Sequence, residues 1–231
     1  MGEYITVTVN DGSFRAYLAR PETRVGPSVV VLHEVFGVNA DLRQTCDELA
    51  GKGFIALCPD LFWRQSPGTD LGVTSEADWN AGLALYTAYD RNKGVGDVVE
   101  TIRVAGALEG ASGRVGVMGY CLGGLMTFLT AARSNVDAAV EFHGADTEMY
   151  LAEVPSITAP MIVHLAEEDE FISQPAQAAI AAAFSNSPNV RIFTYPGCHH
   201  AFSRHGGLHY NAAAAAEANE RTWAFLKDHL G

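Results

Sequence analysis

Positive charge is scarce in this chain of 231 residues: 15 Lys and Arg stand against 27 Asp and Glu, a formal net charge of −12. A phosphate backbone would be repelled by that balance, so nucleic acid is not expected as a partner. Long apolar runs are missing too. The longest, such as Pro27 to Leu32 and Pro160 to Leu165, have strand length and are too short to span a membrane. The start, Met1-Gly2-Glu3-Tyr4, lacks a basic segment followed by an apolar one, so no export signal is expected. Four cysteines (Cys46, Cys58, Cys121 and Cys198) show no CxxC spacing, which favours a reduced, cytoplasmic protein. Internal repeats, long linkers and domain boundaries are also absent, and the length suits one domain over residues 1–231. The sequence gives no indication of oligomeric state.

What is present is a core. Hydrophobic residues make up 48% of the chain and charged residues 18%, too apolar for disorder. Tyr4 to Val9 alternates, Asp11-Gly12 makes a turn and Phe14 to Ala19 continues, the pattern of a β-hairpin. Pro27 to Leu32 reads as a strand covered on both faces. Helical periodicity follows over Ala40 to Leu49, Glu76 to Tyr89 and Val98 to Leu108. Further strands are expected at Phe54 to Cys58, Arg114 to Met118, Ala138 to Phe142, Pro160 to Leu165 and Val190 to Tyr195. Helices are expected at Leu122 to Ala132, Gln174 to Phe184 and Ala212 to Leu226. Strands alternating with helices predict an α/β fold, a mostly parallel sheet with helices on both faces.

One stretch carries chemistry. Gly119-Tyr120-Cys121-Leu122-Gly123 has the form Gly-x-Cys-x-Gly, between an apolar strand and a helical run. This is the nucleophile-elbow pattern with sulfur in place of oxygen. A sharp strand-to-helix turn needs small residues two positions either side of the nucleophile. A thiol at a helix N-terminus is biased toward thiolate, the reactive form.

Active groups of an open α/β sheet gather beyond the C-terminal ends of its strands. Two such ends carry titratable groups: Glu167-Glu168-Asp169-Glu170 after one strand and His199-His200 after the next. Nucleophile, acid, base is the chain order of the α/β-hydrolase triad. Spacing alone leaves the neighbouring glutamates open beside Asp169, and His199 beside His200. A third strand end, His33-Glu34-Val35-Phe36-Gly37, stands where that plan has its second oxyanion donor. The backbone N–H groups of Val35 and Leu122 are the expected pair.

With these residues in place the chain resembles the dienelactone hydrolase (carboxymethylenebutenolidase) family over nearly its whole length. The likeness is carried by Glu34-Val35-Phe36-Gly37-Val38-Asn39, Cys58-Pro59-Asp60-Leu61 and Arg64-Gln65-x-Pro67-Gly68-Thr69. Gly94-Val95-Gly96-Asp97 and Gly119-Tyr120-Cys121-Leu122-Gly123-Gly124 add to it. His200-x-Phe202-x-Arg204 and Ala218-Asn219-Glu220-Arg221-Thr222 complete it.

The resemblance implies an α/β-hydrolase fold, with a triad of Cys121, Asp169 and His200. It implies that Glu34 holds the resting thiol and takes up its proton as substrate binds. It also implies unsaturated lactone substrates whose carboxylate is gripped by two arginines. One arginine falls at Arg204. The other falls at Trp79, which cannot pair with a carboxylate, so a weaker grip on small carboxylated lactones is expected. Another arginine, such as Arg64, would compensate if its loop folds inward.

The expected function is therefore cofactor-free, thiol-dependent hydrolysis of a small-molecule ester or lactone. Two other readings compete. Cys198, His199, His200, His205 and His209 form a dense run of potential metal ligands, although their spacing matches no zinc pattern. An α/β-hydrolase fold that has lost its activity would serve as a binding module.

Overall fold

A computed structural model describes residues 2–231; Met1, the first residue of the expected domain, lies outside the described residues. The hairpin forms as expected from strand β1 (Glu3–Val9) and β2 (Gly12–Ala19). Then follow β3 (Gly26–Leu32), α1 (Ala40–Gly51), β4 (Ile55–Pro59), α2 (Glu76–Ala88) and α3 (Arg91–Gly106). Next come β5 (Ala111–Tyr120), α4 (Leu122–Arg133), β6 (Ala138–Phe142) and β7 (Met161–Ala166). Helix α5 (Gln174–Phe184), β8 (Val190–Tyr195) and α6 (Ala212–Leu230) complete the order.

The eight strands make one sheet in the order β1-β2-β4-β3-β5-β6-β7-β8. Strand β1 pairs antiparallel with β2, and β2 antiparallel with β4; from β4 through β8 every pairing is parallel. This is the α/β-hydrolase fold.

The sheet is covered on both faces because its strands are apolar on both faces. Along β3, Val30 and Leu32 pack on one side with Val98 and Ala105 of α3, Leu125 and Phe128 of α4, and Ile180 of α5. Their neighbours Val29 and Val31 pack on the other side with Leu42 and Leu49 of α1 and Leu226 of α6. A period of two thus serves two helical layers at once.

Two departures have local causes. Helix α3 begins at Arg91 rather than Val98, because Asp90 caps it by accepting from the N–H groups of Asn92 and Lys93. Gly94 and Gly96 interrupt the apolar period that would reveal this first turn. Between β6 and β7, residues Thr147–Ser156 form a 3-10 turn that includes Pro155 and that periodicity does not reveal. No described helix is long and apolar enough to cross a membrane.

Candidate active site

Strand β5 ends at Tyr120 and α4 starts at Leu122, so Cys121 alone makes the turn. Its φ of 55° lies in the left-handed region, which a side chain disfavours. The backbone is held there. Its N–H donates to the Phe142 carbonyl at 3.1 Å, and its carbonyl accepts from Leu125 N–H at 3.0 Å. The flanking glycines permit the packing. A Cβ on Gly119 would lie 2.2 Å from the Gly123 oxygen, and one on Gly123 would lie 2.1 Å from the Leu32 oxygen. Cys121 itself is 7% exposed.

His200 and Asp169 stand at the ends of β8 and β7. Nδ1 of His200 lies 2.8 Å and 3.0 Å from the two carboxylate oxygens of Asp169. Asp169 Oδ1 also accepts from the N–H groups of Phe171 and Ile172 at 2.8 and 3.0 Å, which fixes its direction. Burial opposes a charge on His200. The neighbouring Cys121 and the hydrogen bond to Asp169 outweigh it, and the pKa rises to about 10. The other ring nitrogen, Nε2, is buried and has no partner of hydrogen-bond geometry among the described residues. His199 points elsewhere, with Nδ1 at 2.7 Å from Glu170.

Glu34 is 2% exposed and its carboxylate is engaged by Arg204. Arg204 Nε donates to Oε1 at 3.2 Å, a terminal guanidinium nitrogen bonds Oε2, and the guanidinium lies 4.9 Å from the centre of the Phe36 ring. The expectation had Glu34 holding the thiol and Arg204 awaiting a substrate; the fold joins the two to each other. Sequence separation hides this pair, since the two stand 170 positions apart.

Leu122 opens α4, so its N–H has no carbonyl one turn earlier in the helix. The Val35 N–H meets no acceptor among the described residues. Helix α2 presses on this loop through Gly82, where a Cβ would lie 2.5 Å from the Val35 oxygen. Trp79 and Tyr86, three residues before and four after Gly82, share that face of the helix. Both pack against the group made by Val35, Phe36, Cys121 and Ala145.

A cavity of about 330 Å³ opens beside His200, lined by Phe36, Trp79, Phe171, Arg204 and Leu208 among others. Arg64 does not reach it. That side chain bonds Asp11 at 2.7 Å and also Asp97, beside the opening hairpin, so it is no substitute for an arginine at position 79.

Two side chains of this region escaped the sequence reading. Tyr86 donates to Asp146 at 2.5 Å, and burial together with that carboxylate raises its pKa. Its place on the Trp79 face of α2 was the available signal. His143 is fully buried with φ 35°, its ring centre 4.4 Å from that of His200, and neither of its ring nitrogens has a partner among the described residues. No pattern in the sequence marks it.

The possible metal ligands engage other groups. His205 bonds Asp41, His209 bonds the His200 carbonyl and Cys198 is buried. Among the described residues no three His, Cys, Asp or Glu side chains converge on one point.

Residues 14–230 match the model of the dienelactone hydrolase family. The chain belongs to that family. It is 38% identical to the carboxymethylenebutenolidase of Pseudomonas putida, over 97% of this chain and 95% of the relative. It is 37% identical to carboxymethylenebutenolidase 1 of Cupriavidus pinatubonensis, over 94% of each. In fold it is similar to a crystal structure from Klebsiella pneumoniae, with TM-score 0.87 and 24% identity over 98% of both chains. A crystal structure of a dienelactone hydrolase from Anabaena variabilis gives TM-score 0.75 at 16% identity, over 100% of this chain and 99% of that one.

Proposed function

We propose that this member of the dienelactone hydrolase family cleaves a small ester or lactone through an acyl group carried on Cys121. The observation that carries the reading is the elbow thiol next to a buried histidine. That histidine has one ring nitrogen bound by Asp169 and the other left open. The relatives named carboxymethylenebutenolidase support it, because a butenolide is a lactone and a lactone is an internal ester.

Each step follows from placement. Cys121 gives its proton to His200 and its sulfur attacks the carbonyl carbon. The oxygen gains negative charge, which the Leu122 and Val35 N–H groups stabilise. As the intermediate collapses, His200 gives its proton to the departing oxygen and Cys121 keeps the acyl group. Water then attacks the thioester while His200 takes its proton, and the acid leaves. Asp169 fixes the His200 tautomer and favours the imidazolium. The Glu34–Arg204 pair keeps two buried charges compensated beside this chemistry.

The same reading takes residues 1–231 as one domain. The four free, buried thiols suit a reducing compartment such as the cytoplasm. The test is Cys121→Ala, assayed on an aryl ester with circular dichroism to check the fold. The expected loss is about a thousandfold or more. A folded variant with full activity overturns the reading.

A further inference from the structure

The cavity beside His200 is walled by aromatic rings. Trp79 sits between Phe36 and Phe171, with ring centres 5.9 and 5.7 Å away. Phe171 continues to His200, whose ring centre is 4.8 Å from its own. Val73 and Leu208 extend the apolar lining. Flat rings facing a common space offer stacking and edge contacts to another flat or apolar group.

The charge of the cavity points the same way. Among the described lining residues the one Lys or Arg is Arg204, and its guanidinium is held by Glu34. Two arginines outside the lining are bound as well: Arg91 bonds Asp146, and Arg64 bonds Asp11 and Asp97. Glu76 adds a carboxylate to the lining. Each cation at the cavity is already balanced by a carboxylate, Arg204 by Glu34 and His200 by Asp169, so an anionic ligand meets no uncompensated positive charge. A neutral ligand disturbs nothing.

On the reading that this site is hydrolytic, we infer that its substrate is an uncharged ester or lactone bearing an aromatic or similarly sized apolar group. That group lies against Trp79, Phe36 and Phe171. The carbonyl is then presented to Cys121 from the apolar side of the site, with no carboxylate anchor. Trp79 is the residue that sets this preference.

The experiment compares two esters with the same phenol leaving group. One carries a phenylacetyl group, the other a glutaryl group with its free carboxylate. The parent is expected to favour the phenylacetyl ester by about tenfold or more in kcat/KM, the size of effect one charge-assisted contact makes. Trp79→Arg should narrow that ratio by about tenfold or reverse it. Should the variant fold poorly, the parent alone decides. Phenylacetamide should then compete with the neutral ester more strongly than glutarate does at equal concentration. A parent that prefers the glutaryl ester, or is inhibited better by glutarate, overturns the inference. Cys121→Ala separates the two claims. If turnover of both esters survives it, the reading that Cys121 carries the acyl group falls. If turnover needs Cys121 but the anionic ester is preferred, the substrate inference alone falls.

Discussion

His164 and His200 are both buried, His164 within β7 and His200 just beyond the end of β8, yet they hold protons in opposite ways. His164 bonds neutral hydroxyls, Tyr195 at 2.8 Å and Thr222 at 3.1 Å, and burial pushes its pKa down to about 3. His200 meets the same burial but faces Asp169 and Cys121, and its pKa rises to about 10. Withdrawal from water disfavours charge in both cases; the partner decides the outcome. His143 makes the point a third way. Burial first, then the nearby His200 and Arg204, hold it well below the ordinary histidine range, and its ring nitrogens have no partner among the described residues. A buried imidazole is therefore suited to acid–base work when it stands between a carboxylate and a thiol. Packed among hydroxyls and rings, it is a neutral core residue.

The contrast breaks most visibly at His200. His200→Ala is expected to cut turnover by about a thousandfold or more, while His199→Ala costs a few-fold at most. Steady-state kinetics on one aryl ester checks both, and a reversed order would move the acid–base role to the half-exposed neighbour. Asp169→Asn removes a charge and reverses the tautomer preference of His200. It should lower kcat by about a hundredfold or more. It should also bring the His200 titration, followed by NMR, down from about 10.

The smallest effect on turnover is expected at His164. His164→Phe should leave kcat within a few-fold of the parent. It should cost about 1–2 kcal/mol at neutral pH, because the hydroxyls of Tyr195 and Thr222 lose a partner. Its acid behaviour sharpens the comparison. Below the ordinary histidine pKa of about 6.5 the unfolded chain takes a proton that folded His164 refuses until about pH 3. The parent therefore loses stability through this residue as pH falls across that window, and the variant should not. His200 has the opposite sign. Its contribution is fully present below about pH 6.5 and is lost as pH rises toward 10. Denaturant midpoints measured from pH 4 to 9 for parent and His164→Phe check the acid half.

Legibility in the sequence followed the range of the interactions. The elbow is local: Gly119, Cys121 and Gly123 lie within one turn, and their packing depends on their own side-chain sizes. The strands were legible because β3 needs apolar residues on both faces. Asp169 and His200 meet across 31 positions. Spacing narrowed them to two loops, and resemblance was needed to choose within each. The Glu34–Arg204 pair leaves no local trace, and the resemblance suggested different partners for both. His143 is marked by a backbone angle and by missing hydrogen bonds, neither of which a sequence displays.

The central claim is that Cys121 carries the acyl group. The most direct measurement mixes the protein with excess phenylacetyl phenyl ester, quenches in acid within milliseconds to seconds, and maps the modified peptide by mass spectrometry. The account predicts a phenylacetyl adduct on the peptide containing Cys121, absent from Cys121→Ala, with Cys46, Cys58 and Cys198 unmodified. An adduct on another residue with Cys121 free, in protein that is turning over, would contradict it.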